Sequence, residues 1–219
     1  MIFGFDGKNL KILLIQRAFE PQKGNWSLMG GFVEANESLD QSAHRILKKL
    51  TGLEGVYLEQ LYTFSQVNRD PIERTISTAY FALIDIHRYK RQLSNDYNAV
   101  WFQLKRIPKL IFDHQEMVEI AKRRIRYKAA LHPILFELLP SRFTLPQLQN
   151  LYESVFNATI DRRNFSKRVL ATGLLIKLTV KDKASSKKGA FYYQLNMQNY
   201  YSKFQAFLNF IPNPDSLIP

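Results

Sequence analysis

The sequence contains no cysteine among its 219 residues. That excludes disulfide staples, thiolate nucleophiles and cysteine zinc sites, and it fits a reducing compartment. No apolar run is long enough to span a bilayer. No signal-peptide pattern opens the chain either, since Met1 leads straight into the strand-like Ile2, Phe3, Gly4 and Phe5. A cytoplasmic protein with no membrane partner is therefore expected. Internal repeats, low-complexity tracts and Gly/Ser runs are also missing, so no floppy linker divides the chain.

What is present is apolar content of 46%, ample for one large core or two small ones. The net charge of +12 is unevenly placed. Residues 1–103 hold 12 Lys/Arg against 11 Asp/Glu, whereas residues 104–219 hold 19 against 8. A neutral half joined to a basic half points to a polyanion met by the second half alone; a plain solubility surface is the bland alternative.

Local patterns sort the chain into elements. Residues 11–17 read as a buried strand, followed by a Pro21/Gly24 loop, Trp26 and the paired Gly30 and Gly31. Ser38 and Gln41 have capping-box spacing, Leu39, Ala43, Leu47 and Leu50 recur at helical spacing, and Gly52 stops the helix. Residues 56–64, 75–84 and 99–102 read as strands. The expected class is α+β. Asp113, with Glu116 as box partner, predicts a further helix with Met117, Ile120, Ala121 and Ile125 buried and Lys122, Arg123, Arg124 and Arg126 mostly outside. The expected domains are 1–112, connector helices 113–140, and 141–219.

Residues 143–196 read as helix, turn, helix and β-hairpin, the order of a winged helix. Thr144 and Gln147 predict a capping box, and Asp161 caps the next helix, which Gly173 ends. With Phe165 and Val169 buried, Arg162, Arg163, Asn164, Ser166, Lys167 and Arg168 face mostly outward. Arginine suits guanine edges and asparagine suits adenine; Asn164 could equally serve the helix cap. Ile176, Leu178 and Val180 alternate with Lys177 and Thr179 as in a half-buried strand. Lys181, Lys183, Lys187 and Lys188 on the wing suit phosphate contacts. The bland alternative is an exposed basic helix in a scaffold domain without a DNA role. The tail aromatics Tyr200, Tyr201, Phe204, Phe207 and Phe210 are expected to pack back on the protein or on a second subunit.

Gly31, Glu37, Arg45, Leu47, Gly52 and Leu53 fall at the spacing of the Nudix box, and residues 26–33 look like its usual lead-in. The resemblance implies a Nudix-like α/β/α sandwich. The glutamates that hold divalent cations in that family fall here at Ile46, Lys49 and Leu50, a set that cannot cage Mg²⁺. The chain is therefore expected not to be an enzyme, to carry no catalytic or metal-ligating residue, and to need no cofactor. The alternative is an active hydrolase of ADP-ribose-like nucleoside diphosphates using displaced carboxylates such as Glu34 and Glu37. Glu37 and Arg45 also have a structural reading, as a brace between loop and helix.

Asn68, Arg69, Asp70, Pro71 and Arg74, with Tyr62, Phe64, Ile76 and Tyr80, are similar to a segment of ADP-ribose-type Nudix proteins and of bacterial Nudix-related transcriptional regulators; Glu73 stands where a glycine is common. Phe112, Asp113 and His114 before a basic helix, and the 143–168 segment, resemble the same regulators. His114 itself reads as a packing or capping residue. The resemblance implies a ligand-responsive regulator, by default a repressor, that binds an operator in double-stranded DNA as a homodimer. Relatives in the family sense ADP-ribose-type metabolites or a pentose; loss of the cation cage and of the loop glycine sets an uncharged pentose slightly ahead. Expected ligand contacts are Arg17, Trp26, Glu37, Arg74 and Tyr80.

Overall fold

The computed structural model describes residues 1–93, 97–183 and 189–202. Lys187 and Lys188, and the side chains of Tyr201, Phe204, Phe207 and Phe210, lie outside the described residues. In chain order come β1 (Ile2–Phe5), β2 (Leu10–Gln16), β3 (Trp26–Ser27), α1 (Leu39–Thr51), β4 (Glu59–Phe64), β5 (Ser77–Asp85), α2 (Ile86–Tyr89) and β6 (Val100–Gln103). They are followed by α3 (His114–Leu131), β7 (Phe143–Thr144), α4 (Leu145–Phe156), α5 (Arg162–Ala171), β8 (Leu175–Asp182), β9 (Ala190–Leu195) and α6 (Met197–Ser202). The α+β class read from the sequence is the one observed. No described helix is long and apolar enough to cross a membrane.

Two compact units form. One holds residues 1–4 and 11–122, the other residues 5–10 and those from 123 onward, so the division falls inside α3.

In the first unit a six-stranded sheet runs β3-β2-β1-β5-β4, with β6 also paired to β2. Ile2, Leu13, Ala82 and Ile84 of the sheet pack with Leu47 of α1 and with Leu53 and Val56 beyond it. Each of these side chains other than Ala82 stabilises the fold by roughly 1.5–3 kcal/mol through the apolar surface it removes from water. α1 is delimited as expected: Ser38 and Gln41 exchange both capping-box hydrogen bonds, and Gly52 ends the helix at φ 76°. Leu39, expected on the buried face, is 43% exposed, while Ser42 and Thr51 are buried. Thr51 is satisfied there, because its Oγ1 donates to Leu47 O at 2.7 Å and accepts from Leu53 N at 3.2 Å.

β4 carries one more residue than the strand beside it. Gln60 faces Tyr80 and Tyr62 faces Ala79, so Leu61 is the extra residue of a bulge. The bulge breaks the period-two alternation: Leu61 and Phe64 are buried, with both Tyr62 and Thr63 exposed between them.

In the second unit a three-stranded sheet, β7-β9-β8, accompanies α4 and α5. The Thr144–Gln147 capping box starts α4, and Asn157, at φ 51°, ψ 42°, ends it in the left-handed conformation that asparagine tolerates. Leu148, Leu151, Tyr152 and Val155 are buried together with Phe165 and Val169 of α5. The Tyr152 and Phe165 rings lie 5.6 Å apart. Arg126, expected outside the α3 stripe, is half-buried and donates from Nε to Val155 O at 2.8 Å, satisfying a carbonyl in the last turn of α4.

β8 departs from the expected alternation. Ile176 and Val180 are 41% and 53% exposed, and Leu178 is half-buried. The cause lies in the register: Lys177 faces Tyr193 and Lys181 faces Phe191, so β8 holds two more residues than β9 over this interval. The excess pushes the middle of β8 out of the regular pleat.

Candidate functional site

In the first unit, the loop before α1 is tied to the helix by one arginine. Arg45 Nε donates to Glu37 Oε2 at 2.8 Å, and Nη2 donates both to Glu37 Oε1 and, at 3.0 Å, to Phe32 O. Glu34 N also donates to Glu37 Oε1, at 2.9 Å. These bonds, led by the one from Arg45, hold the Glu37 carboxyl down at about 2. Both its oxygens are taken up in bracing the loop. One residue on, Ile46 packs against the loop so closely that a Cβ on Gly31 would lie 3.0 Å from the Ile46 side chain. Lys49 is exposed and Leu50 half-buried. Asp40 accepts a hydrogen bond from Tyr80 Oη at 2.6 Å. Burial first, and then the Asp40 carboxylate, push the Tyr80 phenol up to about 12.

A cleft of about 550 Å³ opens elsewhere in this unit, between residues 66–71 and 109–113. Gln22, Gln66, Asn68, Pro71, Lys109 and Phe112 line it above a base formed by Arg69 and Asp113. Arg69 Nε and Nη2 reach the two Asp113 oxygens at 2.8 and 2.9 Å, and Nη1 reaches Ser77 Oγ at 2.7 Å. Gln66, Asn68 and Lys109 have no side-chain partner among the described residues, so their donors and acceptors remain available. Among the described residues, four that are not glycine adopt positive φ; two are asparagines, and the others, Gln22 (φ 70°) and Phe112 (φ 48°), both line this cleft. Left-handed backbone at residues ill suited to it gathers where ligands are held. Beside the cleft, His114 Nδ1 accepts from Leu28 N at 3.1 Å, which makes it a packing residue with a structural bond. Burial draws its imidazole down to about 4, so it is neutral.

The five ligand contacts expected from the sequence are not gathered in this cleft. Arg17 stacks over Phe19 at 4.0 Å and approaches the Phe112 ring at 5.5 Å, so it stands at the margin. Arg74 donates to Gln66 O at 3.1 Å, bracing one wall. Trp26 packs edge-on against Phe102 at 4.6 Å, and its carbonyl accepts from Ile111 N. Glu37 is engaged by Arg45, and Tyr80 by Asp40. The amides Gln66 and Asn68 and the ammonium of Lys109, which line the cleft, were not among the expected contacts. They flank the Arg69-Asp70-Pro71 and Phe112-Asp113 segments, but nothing local in the sequence signals that those two segments meet.

In the second unit, Asp161 Oδ1 accepts from Asn164 N at 2.8 Å and caps α5. Asn164 thus serves the cap through its backbone, and its side chain remains exposed. Arg162, Arg163, Lys167 and Arg168 are exposed with it, opposite the buried Phe165 and Val169. On the wing, Lys181 and Lys183 are exposed. A helix whose first two turns present four cations and an amide can enter the major groove while its other face stays in the core.

Comparison with known proteins agrees with this layout. The NUDIX domain family matches residues 1–123, and the NrtR DNA-binding winged helix domain family matches residues 135–195. The chain is 34% identical over 213 residues to an ADPR responsive transcriptional repressor, NtrR, of Acinetobacter baylyi, covering 95% of this chain and 85% of that one. It is 35% identical over 117 residues to an ADP-ribose pyrophosphatase of Methanocaldococcus jannaschii, covering 53% and 68%. Among solved structures, Shewanella oneidensis NrtR complexed with a 27mer DNA is similar with a TM-score of 0.76 and 31% identity, over 91% of this chain and 93% of that one. The fold, the cationic recognition helix and a likeness running through both units lead to one assignment: this chain belongs to the Nudix-related transcriptional regulators, in which a NUDIX domain is joined to an NrtR-type DNA-binding winged helix.

Proposed function

We propose that this protein is a transcriptional repressor that binds operator DNA as a homodimer and is released by ADP-ribose or a close relative, which it detects without hydrolysing. The observation that carries the reading is the exposed row Arg162, Arg163, Asn164, Lys167 and Arg168 on a helix anchored by Phe165 and Val169. Two such helices related by a twofold axis suit a palindromic operator.

The Nudix fold implies a divalent cation on α1, which would polarise the diphosphate and activate water. The residues present do not fit one. Ile46 is apolar and lies against Gly31, Leu50 is apolar, and Lys49 would repel a cation. The displaced-carboxylate alternative also loses ground, because Glu37 is held by Arg45.

The uncharged pentose expected from the sequence gains no support. That expectation treated cutting and binding as one requirement. Cleaving a diphosphate needs the cation cage, whereas binding one needs only ammonium, guanidinium or backbone N–H donors. Relatives at 34% and 35% identity are both named for ADP-ribose. The cleft beside Lys109, with its unpartnered amides, suits such a ligand.

The test is operator selection from a random duplex library, followed by mobility shift with ADP-ribose, NAD, arabinose and xylose, each with Mg²⁺ or EDTA. ADP-ribose should release the DNA equally in both conditions and be recovered intact. Release by a pentose alone would overturn the effector, and AMP appearing with Mg²⁺ would overturn the lack of hydrolysis.

A further inference from the structure

The wing holds a pair of cations in an arrangement that the fold alone does not require. Lys177 Nζ lies 3.9 Å from the centroid of the Phe191 ring, and Lys181 Nζ lies 4.5 Å from the same centroid. Both lysines are exposed, and neither has a carboxylate partner among the described residues. Two ammonium groups held around one ring repel each other, and their attraction to the ring offsets only part of that cost. The arrangement therefore favours a partner whose negative charges reach both ammonium groups.

The backbone produces this geometry. In an unbroken ladder Phe191 would face Thr179, two residues along from Lys177. The two additional residues of β8 instead set Lys181 opposite Phe191, while Lys177 remains opposite Tyr193. Gly189 then permits the return strand to close in: it sits at φ 71°, and a Cβ there would lie 3.2 Å from the Lys181 Cβ and 3.3 Å from Asp182 O. The bulge, the glycine and the aromatic ring thus converge on the placement of two ammonium groups.

We propose that Lys177 and Lys181 form a clamp for the DNA phosphate backbone on the wing, and that Phe191 is the positioning residue that holds both ammonium groups in place. This rests on the DNA-binding reading above. Lys177 is an added contact, because the strand alternation hid it as an ordinary solvent-facing lysine of β8. Phosphate contacts of this kind raise affinity for any sequence and fix register without reading bases. Holding the lysines on a rigid ring also lowers the side-chain entropy lost when they engage.

The experiment uses the full chain and a selected operator duplex, with fluorescence anisotropy between 50 and 200 mM KCl. Lys177→Ala and Lys181→Ala should each make the slope of log affinity against log salt shallower by about 0.9, the value for one phosphate contact. Their loss should weaken specific and random duplexes by the same factor. Phe191→Leu keeps both charges and should still weaken binding about three- to tenfold, whereas Phe191→Tyr, which keeps the ring, should restore it. A Lys177→Ala slope equal to that of the parent protein overturns the clamp; surface Lys177 can be replaced without endangering the fold. Equal affinities for Phe191→Leu and Phe191→Tyr overturn the positioning role. If the parent protein binds no duplex at all, the DNA reading itself falls and the clamp falls with it.

Discussion

Asp113 receives the Arg69 guanidinium through both carboxylate oxygens, with the two side chains 15% and 6% exposed. Arg69 belongs to the loop before β5 and Asp113 immediately precedes α3, so 44 residues of chain are closed by one fork-to-fork contact. The carboxylate expected to cap a helix is taken up by that contact.

Removing one member leaves the other charge buried without its partner. Arg69→Ala should therefore destabilise the protein by about 3–5 kcal/mol in urea denaturation at neutral pH. Arg69→Lys keeps the charge but not the planar fork and should fall between the two. A loss below about 1 kcal/mol for Arg69→Ala would mean the pair is solvated like a surface salt bridge.

The Glu37–Arg45 brace should be visible as a pH effect. The Glu37 carboxyl titrates ordinarily at about 4.5 when unfolded and at about 2 in the folded chain. Between those values the unfolded state binds the additional proton, so stability drops as pH falls. The melting temperature of the parent protein should exceed that of Glu37→Gln above about pH 4.5, and the gap should narrow through the window and vanish below about 2. A gap of constant size across that range would refute the brace.

On α5 the capping residue and the reading residues should separate cleanly. Asp161→Ala removes the side-chain acceptor for Asn164 N and should cost about 1 kcal/mol of stability. Asn164→Ala leaves that bond intact, so it should melt like the parent and lose about 1–3 kcal/mol of discrimination at one base pair. Arg163→Ala with Lys167→Ala should weaken operator binding without lowering the melting temperature. Unchanged mobility shifts for that pair would return the domain to a scaffold role.

In the cleft, Gln66→Ala with Asn68→Ala should reduce the thermal shift produced by ADP-ribose. A tenfold weaker ligand at saturating concentration stabilises by about 1.4 kcal/mol less. Both residues are exposed, so the unliganded melting temperature should not change. An unaltered thermal shift would move the effector elsewhere on the domain.

Signals carried within a few neighbouring residues could be read directly from the sequence. The Ser38–Gln41 and Thr144–Gln147 boxes, the Asp161 cap and the Gly52 stop depend on side chains three or four positions apart, and all were legible. So was the outward row on α5, because a 3.6-residue period and two apolar anchors determine it. The register of β4 and β8 was not, since an inserted residue changes which face every later side chain occupies without altering composition. The cleft proposed for the effector was harder still. Gln22, Gln66 and Lys109 come from three distant stretches, and only the folded sheet brings them to one cleft. The Arg45 brace on Glu37 was one of the readings the sequence left open, whereas the Asp40 partner of Tyr80 lies on another element and gave no local signal.

The extra residue Leu61 has a consequence for life in a crowded cell. β4 ends its sheet, and an outermost strand with a straight row of N–H and C=O groups invites other chains to continue the ladder. A kink at Leu61 twists that row out of plane, so an incoming strand could match its bonds on one side of the kink but not on both. Deleting Leu61 should straighten the border and make the protein prone to stacking into fibrils, a hazard the bulge averts along a strand whose one charged residue, Glu59, stands at its start.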